Sequence, residues 1–168
     1  MKLLRSELDS EFQNTLFEMS VNELPDRGVQ YFDSKVTCTL SSKKIQFGYE
    51  LSGVINAEPT YECVRCLTDF HHPLKLPIRW WLTGDENFQS EEGTDIIHFP
   101  HQSDSIELND AIGDIIGLAE PIKPICKESC NGLCSQCGIN LNSNSCECAP
   151  SDGTNPWDVL KNFNIEKN

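Results

Sequence analysis

Six cysteines, Cys126, Cys130, Cys134, Cys137, Cys146 and Cys148, fall within 23 residues near the end of this chain. Thiols at that density either close disulfides or ligate a metal, and spacing and compartment decide which. The run CSQCG from Cys134 to Gly138 is the turn from which zinc ribbons and knuckles present two thiolates to one ion, with Gly138 letting the backbone fold close to the sulfurs. The pair Cys146 and Cys148 is poorly suited to close a disulfide on itself. Nine cysteines in all leave one unpaired in any disulfide scheme. The first residues, MKLLRSELDSEF, carry Lys2, Arg5, Glu7, Asp9 and Glu11 and no apolar run of signal-peptide type. No segment reaches the roughly 18 uninterrupted apolar residues of a transmembrane helix. The expected setting is a soluble, reducing compartment, the cytoplasm, and the expected cofactor is a structural zinc ion rather than a disulfide framework.

A second pair lies upstream in YECVRCLTDF, where Cys63 and Cys66 have the same two-residue gap. β-type residues precede it and Leu67 and Phe70 come after it, so it caps a strand and begins a turn. Two readings stand side by side: small half-buried turn residues, or ligands. With Cys38 set aside as a buried strand residue, the other eight cysteines would fill two four-sulfur sites, so one or two ions are expected. Cys134 and Cys137 are the first candidates. Their partners are one nearby pair, either Cys126 with Cys130 or Cys146 with Cys148. Sulfur ligands at this spacing suit iron as well, which keeps an iron-sulfur or rubredoxin-like redox protein as an alternative. Without metal, residues 126–148 hold too few apolar groups to order themselves, whereas a structural zinc contributes on the order of 10 kcal/mol of apparent folding free energy.

The elements that must position these sulfurs read mostly as β. Val36, Cys38 and Leu40 alternate with polar residues, SSKK at 41–44 turns the chain, and Ile45, Phe47, Tyr49 and Leu51 alternate again, the pattern of an antiparallel hairpin. Gly53 and Pro59 punctuate the next stretch, with a strand from Ala57 to Cys63. The segment from Pro73 to Leu82 is extended, and its prolines argue for a sheet edge. An acidic loop, GDENFQSEEGTD, precedes a short strand at Asp95 to Phe99. One helix is well signalled: Asn109 and Asp110 cap it, Ile112, Ile115, Ile116 and Ala119 recur at helical spacing, and Pro121 ends it. A last short helix runs from Pro156 to Phe163. The expected fold class is α+β: an antiparallel β-meander, possible as a barrel, with one main helix and a C-terminal cysteine-rich zinc-knuckle segment. The expected layout is a β-rich domain over 1–122 with the helix near 109–120, a metal-binding segment over 123–150 and a tail over 151–168.

Charge narrows the partners. Lysine and arginine total 13 against 26 aspartates and glutamates. From Trp80 to Ile122 there is no lysine or arginine but there are ten carboxylates: Asp85, Glu86, Glu91, Glu92, Asp95, Asp104, Glu107, Asp110, Asp114 and Glu120. Such a field repels a phosphate backbone and attracts basic surfaces, so a basic protein partner is expected. Direct RNA contact is left to the small basic set Lys123, Lys127 and Lys161. Nucleophile elbows, phosphate loops, HExxH pairs and glycine-rich dinucleotide turns are all missing, so no enzyme is expected. A metal-dependent ribonuclease using Asp95 and Asp110 to bind magnesium has no spacing to support it. His71, His72, His98 and His101 are read as polar surface residues rather than ligands, and of Trp80 and Trp81 at least one should enter the core.

The order of these pieces carries a resemblance. A β-rich first half, Cys63, Arg65, Cys66 and Leu67, then a helix ending in EPIKPIC, then Cys126, Cys130, Gly132, Leu133, Cys134, Cys137, Gly138, Asn140 and Leu141, then CEC before PWDVLKNF, resemble the large ribosomal RNA subunit accumulation protein family, the YceD-like proteins. The resemblance implies a small cytoplasmic or organellar factor for accumulation or processing of 23S-type ribosomal RNA and for large-subunit assembly, acting on a subunit precursor. It supplies no catalytic residues. It joins the charge reading in a non-enzymatic assembly factor that grips a basic ribosomal protein.

Overall fold

The computed structural model describes residues 1–85, 88 and 94–148. In chain order its elements are β1 (Lys2–Leu4), α1 (Arg5–Asp9), β2 (Phe12–Ser20), β3 (Gln30–Tyr31), β4 (Lys35–Ile45), β5 (Gly48–Ala57), β6 (Pro59–Glu62), β7 (Asp69–His71), β8 (Leu74–Thr83), β9 (Asp95–His98), β10 (Ser105–Glu107) and α2 (Asn109–Leu118). The strands form a five-stranded sheet ordered β2-β4-β5-β8-β9, a three-stranded sheet β3-β6-β7 and a two-stranded ribbon β1-β10. The fold is thus α+β with one main helix. The acidic loop at 86–87 and 89–93 and the expected tail helix lie outside the described residues.

The β4-β5 hairpin arises from alternation: Val36, Cys38, Leu40, Tyr49, Leu51 and Ile55 are all buried, while the residues between them are half-buried. The turn, however, falls at Gln46 and Phe47 and not at the Ser41–Lys44 run. Those four residues extend β4 because each finds a place on a strand. Ser42 continues the buried alternation, Lys43 lies opposite Glu50, and Lys44 reaches Asp9 at 2.8 Å. Gly53 does not interrupt the chain either. It sits inside β5 opposite Leu40, where a Cβ would lie 2.0 Å from the Thr39 carbonyl oxygen.

Two further expectations need correction. The sheet is open rather than a closed barrel: its edges are β2 and β9, which do not pair, and β9 offers only four residues for a closing ladder. The meander is also not wholly antiparallel, since β9 runs parallel to β8 and pairs with Trp80 to Thr83. β8 pairs with β5 along its whole length but with β9 only at that end. Pro77 therefore lies on the half of β8 that β9 does not reach, where a proline is tolerated as at a sheet edge.

Trp80 is 1 % exposed and anchors a core of Leu3, Leu8, Leu40, Leu51, Ile55, Leu82, Ile112 and Ile116. Trp81 points to the other face and donates from Nε1 to the Glu50 carboxylate at 3.2 Å. Helix α2 buries Ile112 and Ile116 and packs Ile115 and Ala119 at the core margin. Its N-cap is Leu108, without a side-chain cap bond, rather than Asn109 or Asp110. Tertiary partners claim both expected caps: Asn109 Nδ2 donates to the Glu23 carbonyl at 2.8 Å, and Asp110 and Asp114 lie 3.7 and 2.7 Å from Arg27.

Candidate metal centre

β6 and β7 are joined by the residues from Cys63 to Thr68, and this connection has a distinct hydrogen-bond plan. Leu67 N–H donates to the Cys63 carbonyl at 2.8 Å, and Cys63 N–H donates to the Thr68 carbonyl at 3.0 Å. The downstream Cys134–Ile139 turn repeats it: Gly138 N–H donates to the Cys134 carbonyl and Cys134 N–H to the Ile139 carbonyl, both at 2.9 Å. In each turn the residue after the second cysteine adopts a left-handed backbone, with φ of 71° at Gly138 and 54° at Leu67. Glycine takes that conformation freely, while a leucine there costs about 1–2 kcal/mol. The two CxxC segments are thus two copies of one knuckle.

The eight sulfurs divide into two sets of four, Cys63 with Cys66, Cys126 and Cys130, and Cys134 with Cys137, Cys146 and Cys148. Within each set all four sulfurs lie within 4.8 Å of one another. Cys63 Sγ is 3.9 Å from Cys130 Sγ, and Cys66 Sγ is 3.7 Å from Cys126 Sγ. These are too long for a disulfide. They match the edge of about 3.8 Å that four sulfurs at about 2.3 Å from one tetrahedral ion must have. Either set could hold a metal ion. Cys38, 1 % exposed in β4, stands apart from both.

The sets differ in setting. Cys63, Cys66 and Cys130 are buried with Phe70, Ile125, Cys126 and Leu133 around them, whereas Cys137 is exposed and its three companions are half-buried. The more exposed set is tied to the buried one by Leu133 N–H to the Arg65 carbonyl at 3.0 Å and by Asn140 Nδ2 to Thr68 Oγ1 at 3.1 Å. Two residues of this framework carry structural roles that spacing does not reveal. The Arg65 guanidinium donates to the Glu128 and Cys130 carbonyls at 3.3 and 3.2 Å. Asn142 accepts from Asn131 N–H at 2.9 Å through Oδ1, which turns its Nδ2 toward Cys130 Sγ at 3.3 Å. That N–H to sulfur contact stabilises a thiolate, the kind of outer-shell support that orients metal ligands.

Electrostatics matches the knuckle plan. Burial alone would push the Cys63 thiol up, but the backbone N–H groups of Cys126, Arg65 and Cys66 outweigh it and hold the thiol at about 6. Backbone N–H groups of Cys137 and Gln136 bring Cys134 down to about 6 as well. Burial first, and then the neighbouring thiols, push Cys126 up to about 12. The Cys137 sulfur first, and then burial, do the same to Cys148. Each set therefore combines a ready thiolate with a partner that keeps its proton until a cation displaces it. Protons compete for the sulfurs, so metal affinity must fall as pH falls. It should fall more steeply below about 6, where Cys63 and Cys134 also take up protons. Chelator-competition titrations at pH 7.5, 6.5 and 5.5 check this, and a pH-independent affinity would contradict it.

Other candidate residues fall elsewhere. His71 stacks on Phe32 with centroids 3.7 Å apart and faces Thr60, and none of the histidines joins either sulfur set. Asp95 is in β9 and Asp110 is beside Arg27 on α2, and among the described residues no set of three ligand atoms forms around them. Lys161 lies outside the described residues. No helix among the described residues is long and apolar enough to cross a membrane.

Fold and site together define an α+β protein with two four-cysteine sets, one shared between a small β-sheet and the C-terminal segment and one built from that segment alone. Residues 51–164 match the family described as large ribosomal RNA subunit accumulation protein YceD, more than half of the chain, and the chain belongs to that family. It is 34 % identical over 69 residues to the chloroplastic YCED homolog 1 of Arabidopsis thaliana, covering 41 % of this chain and 22 % of that protein. The corresponding homolog of Zea mays is 36 % identical over 70 residues, 41 % of this chain and 23 % of its own. An uncharacterized protein of Mycobacterium leprae is 31 % identical over 108 residues, 64 % of this chain and 48 % of that protein. The chain thus spans half or less of the length of these relatives. No solved structure matches it.

Proposed function

We propose that the chain is a non-enzymatic ribosome-biogenesis factor of the cytoplasm, needed for accumulation or processing of 23S-type ribosomal RNA and for assembly of the large subunit. The observation that carries this reading is the family match over residues 51–164, because the family is described by large ribosomal RNA subunit accumulation. In this reading Cys63, Cys66, Cys126 and Cys130 hold one structural zinc, and Cys134, Cys137, Cys146 and Cys148 hold another. Four sulfurs per ion favour a closed structural site over a catalytic one, which keeps a position open for water. Residues 1–122 supply the β-rich body and lend Cys63 and Cys66 to the metal-binding segment at 123–150, while 151–168 form the tail. The stretch from Trp80 to Ile122, with ten carboxylates and no lysine or arginine, engages a basic protein of the large-subunit precursor. Arg27 offsets two of those carboxylates, Asp110 and Asp114, and leaves the sign of the stretch unchanged.

Deleting the gene in its own host tests the reading. The expected result is precursor large-subunit RNA accumulating while mature large subunits fall in a sucrose gradient. Unchanged RNA and subunit profiles would overturn it. A rubredoxin-like redox protein is the second reading, favoured by the paired knuckles and the Asn142 contact to Cys130 Sγ. Visible absorbance from anaerobically purified protein would select it over zinc.

A further inference from the structure

We infer that the open edge of β2 accepts an extended, basic segment of the partner protein as a sixth strand of the five-stranded sheet. The inference rests on the proposed reading that the partner is basic, and it names a second place where such a partner is held.

Three observations converge on this edge. First, β2 has no strand on its outer side among the described residues. Every second residue of an edge strand turns its N–H and C=O away from the sheet, a row that matches an extended chain. Sheets guard such edges with short strands, bulges, lysines or prolines. β9, the other edge, is four residues long, but β2 pairs with β4 without interruption from Thr15 to Ser20. The bulge lies before Thr15, the run from Thr15 to Ser20 holds no lysine or proline, and its Leu16 is 59 % exposed.

Second, the core is unfinished beside this edge. Thr15 and Phe17 lie directly opposite Leu40 and Cys38 and so share their inward face. Leu40 and Cys38 are buried, yet Thr15 and Phe17 are only half-buried, and with Phe12 they line a cavity of about 420 Å³ between β2 and α1. An added strand would project every second side chain into that space, the arrangement by which strand addition gains specificity. Third, charge selects a basic strand. Glu7 and Glu11 line the cavity and no lysine or arginine does. Each carboxylate accepts a backbone N–H, from Leu4 at 2.7 Å and Lys44 at 2.9 Å, but neither belongs to an ion pair among the described residues. The Lys44 ammonium is paired with Asp9 instead. α1 continues directly from β1, whose partner β10 belongs to the carboxylate-rich stretch, so the edge and that stretch adjoin.

The probe is a fluorescein-labelled peptide of alternating valine and lysine, nine residues long like β2, titrated into the full, metal-replete chain by anisotropy. A valine-glutamate peptide of equal length and two valine-lysine peptides, one N-methylated at every valine and one at every lysine, are measured beside it. N-methylation removes backbone donors and keeps every side chain, and the two sets of donors lie on opposite edges of an extended peptide. One methylated peptide should therefore weaken about tenfold or more, and the other should not. Hydrogen exchange in the complex should slow at residues 15–20. Phe17→Lys should abolish binding. Glu7→Gln with Glu11→Gln should weaken it about fivefold, and Glu62→Gln with Asp69→Asn, the same charge removed from the three-stranded sheet, by less than about twofold.

If both methylated peptides bind like their parent, or exchange at residues 15–20 is unchanged, strand addition is overturned while a basic partner survives; neither result depends on how the variants fold. If the valine-glutamate peptide binds as tightly as the valine-lysine one, the edge still accepts a strand but the basic-partner reading fails. Binding of no peptide overturns the inference. A chain that is dimeric, and that Phe17→Lys makes monomeric, assigns the edge to a second copy and overturns the partner.

Discussion

Replacing Cys63 and Cys66 by serine is expected to lower the metal content by one ion per chain, from the proposed two to one, and to loosen the whole 126–148 segment. The upstream knuckle supplies half of the buried sulfur set, so Cys126 and Cys130 are left without the other half of a tetrahedron. Losing two direct ligands costs more affinity than the roughly 10–100-fold that accompanies loss of an outer-shell partner. The effect reaches further than the first set. Leu133 N–H bonds to the Arg65 carbonyl, Asn140 to Thr68 and Asn142 to Cys130 Sγ, so the second set is braced on a knuckle the variant disrupts. Replacing Cys146 and Cys148 by serine is the asymmetric counterpart: one ion should be lost and the buried set should keep its metal, because all four of its sulfurs remain. Elemental analysis with hydrogen exchange over residues 126–148 separates the two outcomes. Equal loss of protection in both variants would contradict the bracing.

Gly53→Ala should destabilise the sheet by about 3 kcal/mol or more, the upper range for forcing extra volume into a filled interior. The new Cβ would meet the Thr39 carbonyl oxygen at 2.0 Å and the Leu40 Cα at 3.0 Å, both on the paired strand β4. Neither is a flexible side-chain end, and β5 is held on its other side by β8, so the strand cannot move away without breaking a ladder. Urea denaturation measures the loss. A change under about 1 kcal/mol would mean that the two strands are not held so close.

That glycine also shows where sequence reasoning stops. A glycine in an alternating strand looks like punctuation, and only the partner backbone reveals that it permits close approach. The same limit moved the hairpin turn: Ser41 to Lys44 resemble a turn by composition, but Ser42 is buried and the lysines meet Glu50 and Asp9, partners that lie elsewhere in the chain. Alternation at Val36, Cys38 and Leu40, helical spacing at Ile112 and Ile116, and burial of one of the two tryptophans were legible because each is a local consequence of facing one core. The first 31 residues carry no such pattern. β2 has a bulge between Phe12 and Thr15, β1 finds its partner β10 about a hundred residues away, and yet Leu3 and Leu8 are fully buried.

The candidate metal centre divides in the same way. Each CxxC reports a knuckle, because two-residue spacing and the left-handed residue after it are local. Which knuckle shares an ion with which distant pair is decided by the fold. Of the two alternatives left open for Cys134 and Cys137, the sulfurs of Cys146 and Cys148 lie beside them, while Cys126 and Cys130 turn to Cys63 and Cys66. Asn142 had no signal of its own and Arg65 entered only as part of the resemblance, without a role, since an asparagine near a sulfur and an arginine inside a knuckle acquire their roles only when residues far apart in sequence meet.

The most direct test of the two-centre account is the zinc-to-chain ratio of the unmutated protein, purified under reducing conditions and measured by elemental analysis. The account predicts two zinc ions per chain; one ion, or none, would contradict it.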